Sequence, residues 1–160
     1  MSNSNEIHFW DPNEENGWLS NFYPSKIVIF ADGNSSHEFP TAEHYYQWMK
    51  IPHSFSRKKD AVKRASSPRK AKDLTHEYLR TIPTAKPDLE LKCDLMREAI
   101  RMKFKQDTEL CSRLVATNQR IVEASPTDRL WGSGEDGRGV NLMGMLLMEL
   151  RASLTGRCGL

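Results

Sequence analysis

Short stretches rich in β-branched and aromatic residues mark the first forty positions of the chain. Residues 6–10 and 26–30 both have this composition, which is typical of β-strands. Residues 32–34, with the sequence Asp-Gly-Asn, form a turn signal before residues 37–39, so a hairpin is predicted there. The pattern therefore predicts a small antiparallel sheet near the N-terminus.

Apolar residues recur at helical spacing from Thr41 onward. Thr41 is the predicted N-cap of the first helix, and Ser54 is predicted to cap a basic segment that runs to about Ala65. Ser67 is the predicted N-cap of a third helix, with Pro68 at its first position. Three more helices are predicted, one after residue 88, one over 108–117 with Asp107 as its N-cap, and one from about 141 to 154.

Two of these helices are predicted to supply much of the core. The helix after residue 88 has two adjacent rows of apolar residues, Leu91, Leu95, Ala99 and Met102 in one and Met96, Ile100 and Phe104 in the other. The last helix is apolar nearly all round over residues 142–148, so it is predicted to lie inside the protein. Ile121 and Val122 are predicted to form a short extended segment. No repeat or linker divides the chain, which predicts one helix-dominated α+β domain.

Composition and charge narrow the class of protein. Of 160 residues, 38% are hydrophobic and 28% are charged, the balance of an ordinary soluble domain that can bury a core. The net charge of +2 is too small to predict a polyanion-binding surface. The N-terminus is polar and no stretch approaches about 18 apolar residues, so a cytoplasmic protein with no membrane contact is expected. Cys93, Cys111 and Cys158 show no metal-binding spacing and are expected to be reduced thiols.

The first helix carries the most informative polar residues. Glu43, Gln47 and Lys50 are spaced i, i+4 and i+7, so a carboxylate, an amide and an amine share one helical face among aromatic neighbours. Glu43 lies near the positive end of the helix dipole, which favours its ionised form and suits a base, a nucleophile or a cation stabiliser. Lys50 suits a phosphate contact or, once desolvated, an amine that attacks an aldehydic sugar carbon. Stabilisation of the helix alone would also explain both residues.

Residues 128–141 form a second candidate region. They contain the spacing Gly132-x-Gly134-x-x-Gly137 of a dinucleotide fingerprint, but a Ser-Pro-Thr-Asp segment precedes it and only one helix follows, which argues against a Rossmann site. A glycine-rich loop that leads into a helix still suits an anion. Trp131 could stack on a base and Asp128 could face a sugar. An ordinary surface turn would explain the same glycines.

Basic residues before and within the third helix are candidates for binding phosphate. Ser67 offers a hydroxyl and helix N-terminal amides beside Arg64 and Arg69, although capping explains Ser67 equally well. The basic run at 57–59 is interpreted as a solvated helix face. The histidines show no zinc pattern, and no metal ion is predicted.

Several motifs, taken together, resemble the NADAR family, also called YbiA-like. They follow one another from about residue 8 to 154 and comprise WLSNF at 18–22, PTAEHYYQ at 40–47, SSP at 66–68, KF at 103–104, WGxG at 131–134, GxN at 139–141 and GxLLM at 144–148. The resemblance implies a single domain of that fold over 1–160, with its core at about 6–154.

The resemblance also implies an activity and a set of site residues. Characterised members are N-glycosidases that release ribose 5-phosphate from phosphoribosylated intermediates of riboflavin biosynthesis, and others remove ADP-ribose from guanine. The implied catalytic residues are Glu43, Lys50 and Asp128. The resemblance also implies Trp131 and Asn141 as substrate-binding residues, and the residues themselves add the candidates Asn21, Gln47, Arg64, Ser67, Arg69 and Gly132. No cofactor is implied. Residues 71–76 replace a Leu-Gly-Arg-like segment found in many members, which weakens any phosphate role for them.

Three functions therefore compete. The leading one is a glycosidase that acts on small phosphoribosylated aminopyrimidines. The second is an ADP-ribosyl-guanine glycohydrolase, the only case in which a nucleic acid partner is expected, and the third is a non-catalytic ADP-ribose-binding module. The near-neutral charge favours a small substrate. The combination of Glu43, Lys50 and Asp128 argues against binding alone. The sequence does not indicate an oligomeric state.

Overall fold

The computed structural model describes residues 5–31 and 33–158, which form two compact units. The first unit comprises the described residues up to Tyr23 together with those from Asp107 onward, and the second comprises Pro24–Gln106. The first unit contains β1 (Glu6–Phe9), α5 (Thr108–Ala116), β4 (Arg120–Glu123) and α6 (Leu142–Leu154). The second contains β2 (Ile27–Phe30), β3 (Ser36–Phe39), α1 (Ala42–Met49), α2 (Ser56–Lys63), α3 (Pro68–Thr81) and α4 (Leu89–Gln106). The fold is thus helix-dominated α+β, as predicted.

In the first unit, β1 and β4 form a parallel pair. Glu6 lies opposite Arg120, and Phe9 lies opposite Glu123. Helix α6 packs on β4, and Gly144 permits this approach because a Cβ at that position would clash with the backbone oxygen of Ile121. The prediction that the N-terminal strands form one antiparallel sheet is therefore wrong for β1, since its partner comes from the other end of the chain.

In the second unit, β2 and β3 form the predicted hairpin. They are antiparallel, with Ile27 opposite Phe39. The predicted turn includes Asp32, which lies outside the described residues. The Gln106 side chain both donates to and accepts from the backbone of Val28, at 2.9 Å each, so the end of α4 is fixed to β2.

Helix α1 lies at the centre of the second unit and packs against α2, α3 and α4. Its predicted N-cap is confirmed, because the Thr41 hydroxyl accepts a hydrogen bond from the backbone of His44 at 3.3 Å. The caps of α3 and α5 are confirmed in the same way at Ser67 and Asp107. The predicted cap at Ser54 is wrong, since that residue lies in a 3-10 turn and α2 begins two residues later.

The buried faces of the apolar helices differ in part from the prediction. In α4 the buried residues are Met96, Ala99, Ile100, Lys103 and Phe104. Leu91, from the other predicted row, is 48% exposed. In α6, which was expected to be buried all round, Met145 is 52% exposed. Periodicity located the helices, but the neighbouring elements determine which side of each helix is covered.

Two of the three cysteines form a disulfide. Cys111 in α5 pairs with Cys158 in the tail after α6, 47 positions away. The expectation of three reduced thiols is therefore wrong for this pair, because folding brings together residues that show no motif in the sequence. Cys93 is a free thiol. No helix among the described residues combines the length and the apolar character that crossing a membrane requires.

Candidate active site

Helix α1 buries three polar side chains on one face. Glu43, in the first turn, is 5% exposed, Gln47 is 1% exposed and Lys50, at the C-cap, is 8% exposed. Carboxylates and ammonium groups are rarely buried unless they are paired. The three residues share one helical face, as predicted, and that face is buried rather than exposed to solvent.

These three side chains form a chain of hydrogen bonds. The amide Nε2 of Gln47 donates to Oε1 of Glu43 at 2.6 Å, and Nζ of Lys50 donates to Oε1 of Gln47 at 3.1 Å. The amide orientation follows from its neighbours, since an ionised carboxylate only accepts and an ammonium only donates. Gln47 therefore links the charges of Glu43 and Lys50 and holds both side chains in place.

Burial makes Lys50 an easily deprotonated amine. The pKa of Lys50 is lowered to about 8, chiefly by removal from water; the negative charge of Glu43 opposes this shift, and the positive charges of Lys92, Lys72 and Lys86 add to it. Its Nζ also lies 5.1 Å from the centroid of the Tyr46 ring. Near neutral pH this lysine can either carry a charge or act as a base or nucleophile, which few lysines can do.

A second buried lysine fixes the end of α1. The Nζ of Lys59 donates to the backbone oxygens of Trp48 and Ile51, both at 2.8 Å, and lies 3.7 Å from the centroid of the Trp48 ring. Burial lowers the pKa of Lys59 to about 8. The interpretation of residues 57–59 as a solvated helix face is wrong for Lys59, because α2 turns this residue toward the C-terminal carbonyls of α1.

Lys103 is a third buried lysine that sequence reasoning did not place in the site. It is completely buried in α4. The signal was present, since Lys103 falls at helical spacing from Met96, Ala99 and Ile100 and so on the apolar face. A lysine on such a face is a candidate for a structural or functional ion pair.

His44 has a structural role beside Glu43. Its Nε2 donates to the backbone oxygen of Ala65 at 3.0 Å, which leaves Nδ1 to accept from the Thr41 hydroxyl at 2.8 Å. Burial lowers the pKa of His44, and the bond to Ala65 acts in the opposite direction. The neutral ring therefore anchors the start of α1 to the segment that precedes α3.

The predicted phosphate ligands around α3 mostly have local partners. The Ser67 hydroxyl accepts from the backbone of Lys70 at 3.1 Å as the helix cap. The exposed guanidinium of Arg69 forms an ion pair with Asp73 at 3.3 Å. Arg64 is exposed on the lining of a cavity of about 390 Å³ that is also lined by Lys26, Glu38, Phe39, Pro40 and Lys63.

The glycine-rich loop of the first unit is held by local hydrogen bonds. Oδ1 of Asp128 accepts from the backbone of Leu130 at 2.9 Å and of Trp131 at 2.8 Å. Gly132 is buried, and a Cβ there would lie 2.9 Å from backbone oxygens of Asp128 and Glu123. Residues 124–131 contain no strand, so the glycine-rich loop does not directly follow one, which argues against the dinucleotide interpretation.

Asn141 joins this loop to the sheet. Its backbone is left-handed, with φ of 59°. Its side chain donates to the backbone oxygen of Ile121 and accepts from the backbone of Glu123, both at 2.9 Å. Asn21, also in the first unit, is buried in the turn that follows the 3-10 segment Gly17–Leu19. Asn141 and Asp128 thus both stabilise the loop through hydrogen bonds from their side chains to the backbone.

Comparison with known proteins identifies the family. A model of the NADAR domain matches residues 8–155. The N-glycosidase YbiA of Shigella flexneri serotype 5b (strain 8401) is 38% identical over 149 residues, which cover 92% of this chain and 88% of that protein. The solved NMR structure of the E. coli protein YbiA superposes with a TM-score of 0.73 at 34% identity, and the match covers 93% of this chain and 84% of the other.

A longer relative carries a different name. The riboflavin biosynthesis protein VVA0006 of Vibrio vulnificus (strain YJ016) is 36% identical over 150 residues, which cover 92% of this chain but only 38% of that protein. The helix-dominated α+β fold is shared with the YbiA structure, and ionisable groups buried along one helix are typical of enzyme sites. The chain belongs to the NADAR family.

Proposed function

We propose that the protein is an N-glycosidase that hydrolyses the N-glycosidic bond of phosphoribosylated aminopyrimidine intermediates of riboflavin biosynthesis and releases ribose 5-phosphate. The names of its relatives support the reaction type and the pathway. The observation that carries the proposal is the buried chain from Glu43 through Gln47 to Lys50. Such a set of groups is more than binding alone requires.

Glu43 supplies the charge that this reaction needs. When the bond between the anomeric carbon and the base nitrogen breaks, its electron pair leaves with the nitrogen and positive charge develops on the carbon and the ring oxygen. A buried carboxylate stabilises that cation more strongly than one in water. Water then adds to the carbon and gives a proton to Glu43, which passes it to the departing nitrogen. The hydrogen bond from Gln47 at 2.6 Å keeps the carboxylate oriented.

Lys50 has two candidate roles that predict opposite pH dependences. As a cation beside Gln47 it must stay protonated, so activity falls as the pH rises through about 8. As a nucleophile it must be neutral, so activity rises over the same range. In that case its amine bonds to the anomeric carbon as the base leaves, and one amine proton passes to the departing nitrogen. The second passes to the ring oxygen as the ring opens to an imine, which water then hydrolyses to free the lysine and the sugar. Borohydride reduction would trap the imine as a stable adduct on Lys50.

The family resemblance assigns further residues, all in the first unit, to binding the base and the sugar. Trp131 offers a stacking face, and Asp128 holds the backbone of that residue through its carboxylate. Because the Asp128 carboxylate already accepts this backbone hydrogen bond, we assign Asp128 a positioning role. Glu43 is then the proposed catalytic carboxylate. Asn21, Gly132 and Asn141 remain proposed binding residues. We also propose that the protein is cytoplasmic and that its partner is a small molecule.

The deciding experiment compares two substrates side by side. Purified protein is incubated with the phosphoribosylated aminopyrimidine and, separately, with ADP-ribosylated guanosine, and the released sugar and base are quantified. Release of ribose 5-phosphate is expected from the first. The Glu43→Gln variant should lose about a hundredfold or more in kcat because it removes the stabilising charge, with an unchanged circular dichroism spectrum. Glu77→Gln, which alters an exposed carboxylate of α3, is the matched control.

The remaining outcomes separate the alternatives. Turnover of ADP-ribosylated guanosine alone would overturn the leading proposal in favour of an ADP-ribosyl-guanine glycohydrolase. Binding of either compound without turnover would support a non-catalytic module. Full activity of the Glu43→Gln variant would remove Glu43 from the mechanism while leaving the reaction type intact.

A further inference from the structure

A lysine of α2 binds the main chain where α1 ends. The Nζ of Lys59 donates to the backbone oxygens of Trp48 and Ile51, both at 2.8 Å, so one ammonium group joins two carbonyls. The backbone amide of Ile51 also donates to the oxygen of Trp48, at 3.2 Å. The last carbonyls of a helix have no donor within the helix. Lys59 supplies that donor for α1 from a neighbouring helix.

These contacts lie on both sides of Lys50 in the chain. Trp48 precedes Lys50 by two positions and Ile51 follows it directly, so Lys59 fixes the main chain from which the Lys50 side chain extends. The Nζ of Lys59 also lies 3.7 Å from the centroid of the Trp48 ring. Two residues of a helix differ by about 160° around its axis, so Trp48 and Lys50 extend from opposite sides. Lys59 therefore holds the end of α1 from the side opposite to the Lys50 side chain.

Apolar packing does not explain a lysine at position 59. The residue is 5% exposed, and within residues 5–31 and 33–158 no carboxylate forms an ion pair with its ammonium group. An apolar side chain would avoid the cost of burying that charge. Val62, one turn further along α2, is apolar and completely buried. The role of Lys59 is thus polar, and it is directed at the two carbonyls beside Lys50.

We propose that Lys59 is a positioning residue of the active site, which keeps the Lys50 amine against Gln47 by fixing the main chain at the end of α1. This assignment rests on the proposed glycosidase function, in which Lys50 acts beside Glu43. The bond from Lys50 to Gln47, of 3.1 Å, depends on where that main chain lies. Without Lys59 the amine of Lys50 moves away from Gln47 and toward water. Lys59 acts through Lys50 and is not itself a catalytic residue.

The first test is kinetic and uses the phosphoribosylated aminopyrimidine. Lys59→Met nearly keeps the length of the side chain but removes the ammonium group. It should lower kcat by about tenfold to a hundredfold, since misplacing a reacting group by about an ångström costs that much, with little change in KM. Lys59→Arg keeps charged donors and should recover part of kcat. Lys58→Met removes the same charge from the next position, where the lysine lies 4.3 Å from the centroid of the Tyr78 ring, and should leave kcat unchanged.

A second comparison separates position from stability. Val62→Ala removes buried apolar atoms from the same helix but none of the polar contacts of Lys59. It should lower Tm and leave kcat in place at a temperature where the protein is folded. An equal loss of kcat in Val62→Ala and Lys59→Met would refute the proposal, because stability alone would then explain both. If Lys59→Met does not fold, Lys59→Gln replaces it, and wild-type kcat in that variant would refute the proposal as well.

The third test needs no turnover and so separates this proposal from the glycosidase function. It records hydrogen exchange of the Ile51 amide, which is bonded to Trp48, and the ¹³Cε titration of Lys50. In Lys59→Met the exchange should be faster. The Lys50 midpoint, its pKa, should rise from about 8 toward its ordinary value of 10.5, because the amine gains water. The other charges that act on Lys50 are the same in the variant, namely those of Glu43, Lys92, Lys72 and Lys86.

Each outcome identifies the proposal that fails. Faster exchange at Ile51 with a raised Lys50 midpoint, in a protein that cleaves no riboside, leaves the positioning of Lys50 standing and refutes the glycosidase. A raised midpoint with wild-type exchange and wild-type kcat reports only the lost charge of Lys59 and refutes the positioning role. An unchanged Lys50 midpoint in Lys59→Met refutes that role too, whether or not the protein turns over its substrate.

Discussion

The charge on Lys50 should depend on Glu43, and Glu43→Gln tests this dependence directly. The substitution keeps the shape of the side chain but removes the negative charge that raises the pKa of Lys50. One amide separates the two charged groups, through contacts of 2.6 and 3.1 Å. At an effective dielectric constant of about 20, opposite charges roughly 7 Å apart attract by about 2 kcal/mol, which corresponds to between one and two pKa units.

The pKa of Lys50 in the variant should therefore fall below its wild-type value of about 8. The assay is a pH titration of the ¹³Cε chemical shift of Lys50, assigned by its absence in Lys50→Arg. The Glu43→Gln titration should have its midpoint at lower pH than the wild type, whereas Glu77→Gln should leave the midpoint in place. An unchanged or higher midpoint would show that Glu43 does not act on Lys50, and the proposed electrostatic link would be refuted.

Protein stability should follow the same linkage. Because the pKa of Lys50 is lowered in the folded state, the unfolded chain binds more protons between about pH 8 and its ordinary value of 10.5. The free energy of unfolding contributed by this group therefore rises with pH over that window. In Glu43→Gln the rise should begin at lower pH, which urea unfolding at several pH values would detect.

Two further predictions concern the first unit. Asn141→Ala removes two hydrogen bonds and places alanine in a left-handed backbone, so it should cost about 2–4 kcal/mol in urea unfolding. Asn141→Gly loses the same bonds without the backbone penalty and should be about 1 kcal/mol more stable than the alanine variant; equal losses would contradict the role of the backbone. The Cys111–Cys158 bond closes 47 positions of chain, so its reduction should cost up to about 4 kcal/mol. Dithiothreitol should lower the Tm of the wild type and of Cys93→Ser but not of Cys158→Ser. A count of three titratable thiols in the untreated protein would refute the Cys111–Cys158 bond.

Interactions between neighbours in the sequence could be predicted without the structure. The caps at Thr41, Ser67 and Asp107 were located correctly because each involves a side chain and an amide three positions apart. The common face of Glu43, Gln47 and Lys50 follows from helical geometry alone. The β2–β3 hairpin was predictable for the same reason, since only a short turn separates its strands.

Features that depend on contacts between distant segments of the chain could be determined only from the tertiary structure. The pairing of β1 with β4 and the Cys111–Cys158 bond join residues with no shared local pattern. The burial of Lys59 and the lowered pKa of Lys50 arise because other helices remove water and contribute their own charges. The amino-acid sequence alone thus set the order of functional groups along α1. Packing against α2, α3 and α4 set their charge states and placed further lysines around them, because burial and Coulomb interactions depend on distances in space rather than along the chain.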